Sequence, residues 1–144
     1  MAIQRMSHIG ICVADLERSL RFYRDGLGFR ETSSLDVSGQ PAETLLEIEG
    51  VRLRAVYLER DGTCIELLHY ERPGHAGDGT PRPMNGLGLT HLSLRVDDLD
   101  AVLAHLETFG ARTLKQTRTT NPALRADAIF VLDPDGTRVE LVVA

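Results

Sequence analysis

The sequence predicts an α+β fold built from two copies of one strand-helix-strand-strand-strand unit. The first observation is an internal repeat, in which H-I-G-I-C-V-A-D-L-E-R-S-L from His8 matches H-L-S-L-R-V-D-D-L-D-A-V-L from His91. The second is a match between D-G-T-C-I-E-L from Asp61 and D-G-T-R-V-E-L from Asp135. Each copy therefore opens with a strand that carries a histidine and closes with a strand that carries a glutamate.

One short amphipathic helix is predicted after the first strand of each copy. Asp15 is suited to cap the first helix, and glycines follow where the helix should stop. The second helix starts at Asp98 and ends at Gly110. The apolar residues at helical spacing are Leu16, Leu20, Tyr23 and Leu27 in the first helix and Leu99, Val102, Leu103, Leu106 and Phe109 in the second.

Three strands are predicted after each helix. They lie near residues 30–37, 51–58 and 63–68 in the first copy and near 113–119, 128–132 and 138–143 in the second. The turns E-R-D-G-T and D-P-D-G-T contain Asp-Gly, which joins neighbouring strands as tight antiparallel hairpins. Each copy should therefore form an antiparallel sheet that is covered by one helix.

The whole chain, residues 1–144, is interpreted as a single domain, because this length suffices to bury a core. Its first module spans residues 1–70 and its second spans 89–144. Residues 71–88 form the only long segment rich in proline and glycine. We interpret this segment as the linker and as a candidate lid.

Composition and charge exclude several classes of function. No apolar run is long enough for a membrane span or a signal peptide. Cys12 and Cys64 lack CxxC spacing, which fits a reducing compartment better than a disulfide framework. The net charge of -5 disfavours nucleic acid, because phosphate binding needs a concentrated basic surface. We therefore expect a cytoplasmic protein whose partner is a small molecule.

Four ligand-type side chains are predicted to share one face. Alternation along a strand places the apolar residues under the helix and leaves His8 and His91 on the opposite face. The same rule places Glu66 and Glu140 there. One such residue alone is usually structural, but a repeat brings equivalent positions together. Two imidazoles and two carboxylates suit a divalent metal, and Zn, Ni, Co, Mn or Fe would fit.

In these residues the sequence resembles the vicinal oxygen chelate superfamily, which includes glyoxalase I, methylmalonyl-CoA epimerase, extradiol dioxygenases, fosfomycin-resistance enzymes and bleomycin-resistance proteins. The motifs that carry the resemblance span nearly the whole chain: H-I-G-I-C-V-A-D-L-E-R-S-L-R-F-Y with G-L-G-F, T-C-I-E-L-L, L-T-H-L-S-L-R-V-D-D-L-D and L-D-P-D-G-T-R-V-E-L. They are specific for the superfamily and not for one activity. The resemblance implies paired βαβββ modules that curl into a cup around the metal, with His8, Glu66, His91 and Glu140 at the ligand positions. It also implies that the site forms either within one chain or across a dimer, and we expect a homodimer.

A metal with this ligand set favours lyase, isomerase or epimerase chemistry on a small carbonyl compound. The metal would polarise the carbonyl as a Lewis acid while a base removes the adjacent proton. The resemblance to the glyoxalase-like branch implies that a ligand glutamate acts as this base. Glu140 and Glu66 are therefore the catalytic candidates.

Two other classes of function stay open. His8, His91 and Glu140 alone would form the two-histidine, one-carboxylate set of an extradiol-type iron dioxygenase, although Glu66 as a fourth ligand argues against it. The second alternative is a non-catalytic drug-binding protein of the bleomycin-resistance type. The net negative charge of this chain is compatible with binding a cationic drug, but the presence of all four ligand types disfavours this alternative.

Five residues are candidates for substrate contact. Arg95 occupies in the second module the repeat position of Cys12 in the first, and its guanidinium suits a carboxylate or a phosphate. His69 and Tyr70 at a strand end and Met84 in the linker are candidates to line the mouth of the cup.

The resemblance does not identify the substrate. Glyoxalase I would have an arginine in place of Cys12 and an asparagine in place of Tyr70, so a glutathione hemithioacetal does not follow. The epimerase would have a glutamine in place of Glu66. Arg54 and Arg138 are expected to be solvated charges at strand edges.

Overall fold

The computed structural model describes all residues from Met1 to Ala144, and the chain divides into two compact units, Met1–Ala76 and Gly77–Ala144. The first unit contains β1 (Ile9–Cys12), α1 (Leu16–Leu20), a π-helical turn (Arg21–Gly26), β2 (Arg30–Ser38), α2 (Gln40–Leu46), β3 (Arg52–Arg60) and β4 (Thr63–Arg72). The second contains β5 (His91–Arg95), α3 (Leu99–Glu107), β6 (Arg112–Asn121), β7 (Ala126–Leu132) and β8 (Arg138–Val143).

The two units repeat one sheet topology, which confirms the predicted α+β fold with two βαβββ modules. The strand order is β1-β4-β3-β2 in the first sheet and β5-β8-β7-β6 in the second. The hairpin-linked strands pair antiparallel as predicted, but β1 pairs with β4 and β5 with β8 in parallel. The helix after the first strand returns the chain, so the second strand runs in the same direction as the first. The third strand runs in the opposite direction, and the fourth again runs parallel to the first. Each sheet is therefore mixed and not purely antiparallel.

Both predicted helix starts are confirmed by their caps. The carboxylate of Asp15 accepts a hydrogen bond from the backbone N of Arg18 at 3.0 Å, and that of Asp98 accepts one from Ala101 at 3.0 Å. Both cap residues have extended backbone conformations, as this position requires. In α3 the predicted apolar face is buried at Leu99, Leu103 and Leu106.

Helices α1 and α3 each cover the apolar face of their own sheet. In β4, Ile65 and Leu67 are fully buried, while Glu66 between them points to the opposite face and is half-buried. In β8, Val139 and Leu141 are fully buried on either side of Glu140. We call the face that carries the glutamates the open face of each sheet.

Helix α2 does not appear in the sequence prediction, which placed one helix in each module. The segment starts after Gly39, has Pro41 in its first turn and ends at Glu47, whose φ of 55° is left-handed. Seven residues are too few for a clear helical period. Ala42 of α2 packs with Val51 and Leu53 into a small buried cluster, which we call the α2 cluster.

The predicted linker differs from the structure at its start, because β4 extends to Arg72. Later in the segment, the guanidinium of Arg82 donates hydrogen bonds to the carbonyl oxygens of Leu87 at 2.6 Å and Leu89 at 2.5 Å. These bonds give residues 82–89 a defined conformation. None of the helices combines the length and the apolar character needed to cross a membrane.

Candidate functional site

The first unit brings His8 and Glu66 together on its open face. Glu66 lies opposite Gly10 in the parallel pairing of β1 with β4, and His8 precedes Gly10 by two residues. The His8 Nε2 atom is 3.0 Å from Glu66 Oε2, and the glutamate side chain is 13% exposed. The alternation predicted from the sequence therefore does place this imidazole and this carboxylate side by side.

The second unit repeats the arrangement with His91 and Glu140. In the pairing of β5 with β8, Ser93 lies opposite Glu140, two residues after His91. The His91 Nε2 atom is 3.9 Å from Glu140 Oε2, and both side chains are 30% exposed. This pair is looser and more accessible to solvent than the first.

A hydroxyl group holds the other nitrogen of each imidazole ring. Ser7 Oγ is 2.8 Å from His8 Nδ1, and Thr90 Oγ1 is 2.7 Å from His91 Nδ1. Because a hydroxyl both donates and accepts, the ring keeps this bond in either tautomer. A metal-binding histidine usually has its second nitrogen held in this way. The signal was present in the sequence as a hydroxyl residue directly before each repeated histidine.

An aromatic ring packs edge-on against each histidine. The ring centroids of His8 and Tyr57 are 5.2 Å apart at an interplanar angle of 86°, and those of His91 and Phe130 are 5.4 Å apart at 90°. Tyr57 lies opposite Glu66 in the sheet, as Phe130 lies opposite Glu140. The two aromatic residues are therefore equivalent positions of the repeat, and the packing fixes the ring planes of both histidines.

Each glutamate also accepts a hydrogen bond from a hydroxyl group, but from a different strand in each unit. The hydrogen bond to Glu66, together with burial, raises the pKa of Tyr57 to about 12, so the phenol stays protonated as a donor. In the second unit Ser93 Oγ donates to Glu140 Oε2 at 2.6 Å. Sequence reasoning missed both donors, because Ser93 replaces Gly10 of the first copy and Tyr57 is replaced by Phe130 in the second.

These two pairs fit the donor chemistry of a divalent metal. Each supplies one imidazole, whose Nε2 faces the site, and one carboxylate that a neutral hydroxyl orients. No group of three or more histidine, cysteine, aspartate or glutamate side chains in the structure is placed so that it could hold a metal ion. Each unit therefore offers half of the predicted ligand set.

The substrate-contact candidates of the first unit occupy different places. Cys12 is exposed on the open face of β1. Tyr70 also lies on the open face but packs against the α2 cluster, and burial raises the pKa of its hydroxyl. His69 shares the alternation of Ile65 and Leu67, on the face opposite Glu66, with its Nδ1 atom 3.5 Å from the carbonyl oxygen of Val13.

In the second unit, Arg95 is exposed at the end of β5, opposite Val142. Met84 is 39% exposed and borders a cavity together with other linker residues. Arg54 is exposed on β3 near Asp36, with 3.6 Å between guanidinium and carboxylate.

Arg138 differs from its expected role as a solvated charge. Its Cζ atom lies 5.8 Å from the centroid of the Phe130 ring, and Nη2 donates to the carbonyl oxygen of Arg82 at 3.2 Å. The Nε atom is buried and has no hydrogen-bond partner. The aromatic ring and the linker backbone therefore draw this side chain out of solvent.

Comparison with known proteins identifies the family of this chain. Residues 5–141 match the model of the glyoxalase/bleomycin resistance protein/dioxygenase superfamily. The chain is 30% identical over 141 residues to the uncharacterized protein YaeR of Escherichia coli K12, covering 98% of this chain and 97% of YaeR. It is 29% identical over 135 residues to a probable lactoylglutathione lyase of Synechocystis, covering 94% of this chain and 92% of that protein.

A solved structure shows the same fold. The crystal structure of a glyoxalase family protein from Bacillus cereus matches with a TM-score of 0.84 at 19% identity, over 99% of this chain and 95% of that one. At this identity the likeness concerns the fold alone. The family match covers nearly the whole length and includes both histidines and both glutamates. The chain therefore belongs to the glyoxalase/bleomycin resistance protein/dioxygenase superfamily.

Proposed function

We propose that this protein is a divalent-metal-dependent enzyme that moves a proton next to the carbonyl group of a small molecule, as a lyase or as an isomerase or epimerase. The observation that carries this proposal is the duplicated pair of an imidazole Nε2 and a carboxylate, at 3.0 Å in one unit and 3.9 Å in the other. We propose His8, Glu66, His91 and Glu140 as the ligands, with Zn, Ni, Co, Mn or Fe as the metal. When bound, such a metal supplies Lewis acidity for a substrate carbonyl.

Glu140 is the better candidate for the base. Its side chain is 30% exposed against 13% for Glu66, and its carboxylate lies 0.9 Å farther from its histidine (3.9 Å against 3.0 Å). A base must leave its resting contacts and reach a substrate proton, which a looser and more exposed carboxylate does at lower cost. Ser93 Oγ at 2.6 Å would keep Glu140 aimed during this movement.

Glu66 is the better candidate for a fixed ligand. It is held from two sides, by His8 Nε2 at 3.0 Å and by the phenol of Tyr57. This position beside a ligand histidine also disfavours the dioxygenase alternative, which requires that Glu66 stay away from the metal.

The proposed setting is a cytoplasmic homodimer that acts on a small-molecule substrate. The similarity to a probable lactoylglutathione lyase supports the lyase branch of the proposal. Cys12 and Tyr70 stand where glyoxalase I would have arginine and asparagine, so the proposed substrate is a carbonyl compound other than a glutathione adduct. The two ligand pairs would come from one chain or from two chains that exchange modules.

Deuterium exchange tests the proposed reaction type. The full chain, loaded separately with zinc, nickel, cobalt and manganese, is incubated in D₂O with hydroxyacetone and with pyruvate. The hemithioacetal of methylglyoxal and glutathione is the comparison compound, which should not exchange. Proton NMR then follows loss of the proton next to the carbonyl group. We expect metal-dependent exchange that Glu140→Gln slows about 100-fold or more at saturating metal, the usual loss on removing a general base.

Glu66→Gln is the matched variant, and it should mainly weaken metal binding while exchange recovers at high metal. Exchange that is equally fast without metal would contradict the proposal. Equal losses of exchange rate in Glu140→Gln and Glu66→Gln at saturating metal would contradict the assignment of Glu140 as the base.

A further inference from the structure

A cavity of about 210 Å³ lies within the second unit, between the linker and the turn that joins β7 to β8. Residues 79–84 and 89–90 form one wall, and residues 135–137 of the turn with Arg138 at the start of β8 form the other. The two segments touch at Gly136, where a Cβ atom would overlap the carbonyl oxygen of Gly79. This close approach, at a glycine with a φ of 92°, fixes the linker against the turn.

The cavity has a guanidinium group without an anionic partner. Arg82 directs both of its Nη atoms to linker carbonyl groups, so its role is to shape the wall. Arg138 lines the cavity and makes one hydrogen bond, from Nη2 to the carbonyl oxygen of Arg82, and its Nε atom is buried without an acceptor. Since no carboxylate pairs with this guanidinium, an oxyanion in the cavity is the acceptor that best suits its remaining Nη donors.

This guanidinium lies beside the proposed metal ligands of the second unit. Arg138 is paired across the sheet with His91 and precedes Glu140 by two residues, on the same open face. The Phe130 ring contacts both the guanidinium, at 5.8 Å, and the imidazole of His91, at 5.4 Å. A molecule bound at His91 and Glu140 would therefore have the guanidinium of Arg138 as a neighbour.

We propose that this cavity is a subsite for an oxyanion group of the substrate and that Arg138 is its specificity-determining residue. The substrate would then be a small anionic carbonyl compound, with a carboxylate, a phosphate or a phosphonate near its reacting carbon. Arg138 would hold the anion while its Phe130 contact keeps the guanidinium plane fixed. The placement of this subsite beside a metal rests on the proposed function, whereas the anion subsite itself rests on the cavity and on Arg138 alone.

Anion titration of the full chain tests this subsite. Inorganic phosphate and acetate are titrated into metal-free protein labelled with ¹⁵N, and the side-chain Nε–H signal of Arg138 is followed by NMR. We expect this signal to shift and to reach saturation. Tighter binding of phosphate than of acetate would indicate a phosphorylated substrate, and tighter binding of acetate would indicate a carboxylic acid. Because this readout uses the wild-type protein, it does not depend on the folding of a variant.

Arg138→Gln should then weaken binding of the stronger anion by about tenfold or more, the scale of one charge-assisted hydrogen bond. Arg138→Lys should restore part of this loss, since it returns the charge but not the planar fork. Arg112→Gln is the matched control, because Arg112 is an exposed arginine of the same unit, and it should change affinity less than twofold.

A wild-type Arg138 signal that neither anion shifts would overturn the subsite, as would equal affinity in Arg138→Gln. The same titration on metal-loaded protein separates the two proposals. Anion binding in a protein that takes up no metal would support the subsite and contradict the proposed metal-dependent enzyme. Metal uptake without anion binding would support the enzyme and contradict the subsite.

Discussion

Replacing Tyr57 by phenylalanine tests whether hydroxyl groups orient the proposed metal ligands. The change removes one oxygen, which donates to Glu66, and it leaves the aromatic ring that packs on His8 at 5.2 Å. Phe130 fills the equivalent position and packs on His91 at 5.4 Å, so a phenylalanine fits this site. The variant should therefore fold normally and lose only the donor.

The expected loss of metal affinity follows from the burial of Glu66. A hydrogen bond to a charged group contributes about 1.5–3 kcal/mol, and the carboxylate is only 13% exposed, so water replaces the phenol poorly. Removing a hydrogen-bond partner of a metal ligand costs about 10–100-fold in metal affinity. Since His8 still contacts Glu66, we expect a value near tenfold, which is about 1.4 kcal/mol.

The assay is a competition titration of metal-free protein with zinc and a fluorescent chelator. Tyr70→Phe is the matched control, because this tyrosine lies on the same strand as Glu66 but packs against the α2 cluster, and its affinity should stay within twofold of the wild type. Unchanged affinity in Tyr57→Phe, with normal thermal unfolding, would refute the reasoning. An equal loss in both variants would show that the effect is not specific to Glu66.

Three further changes have defined outcomes. Ser93→Ala should weaken zinc binding less than Tyr57→Phe in the same titration, because Glu140 is 30% exposed and water can replace the lost donor. Asp98→Ala should lower the free energy of unfolding by about 1 kcal/mol in urea titrations, because α3 loses its cap. Leu67→Ala should lower it by about 2–5 kcal/mol, because this side chain is fully buried.

Each change has its own control or limit. Asp97→Ala alters an exposed aspartate directly before the cap and should be nearly neutral, so equal losses at both positions would contradict the capping role. A larger loss of zinc affinity in Ser93→Ala than in Tyr57→Phe would contradict the burial argument. A loss below about 1 kcal/mol for Leu67→Ala would mean that the site relaxes to fill the space.

The repeat and the strand alternation were readable from the sequence because both are local patterns. Two matching segments place a histidine and a glutamate at the same points of each copy, and a period of two places both on the open face. The caps Asp15 and Asp98 follow from short-range chemistry in the same way. These features predicted the fold and the two histidine–glutamate pairs.

One feature that sequence reasoning missed was within reach of a local pattern. The Asp61-Gly62 hairpin pairs Arg60 with Thr63, and the same register places Tyr57 opposite Glu66, so the contact between them follows from the predicted turn. The repeat even concealed it, because Phe130 has no hydroxyl group at the matching position. From the sequence alone, Arg138 is expected to be a solvated charge at a strand edge. Its contact with Arg82 of the linker depends on the tertiary fold, because 56 positions separate the two residues.

The metal content of the protein, purified without a metal-affinity tag, tests the central claim most directly. Elemental mass spectrometry is applied to the wild type and to His8→Ala and His91→Ala treated identically. The four-ligand site predicts close to one Zn, Ni, Co, Mn or Fe per chain, lost in both variants because each removes a ligand of the same ion. A wild type that holds no metal and cannot be loaded with any, or a metal that survives loss of either histidine, would contradict it.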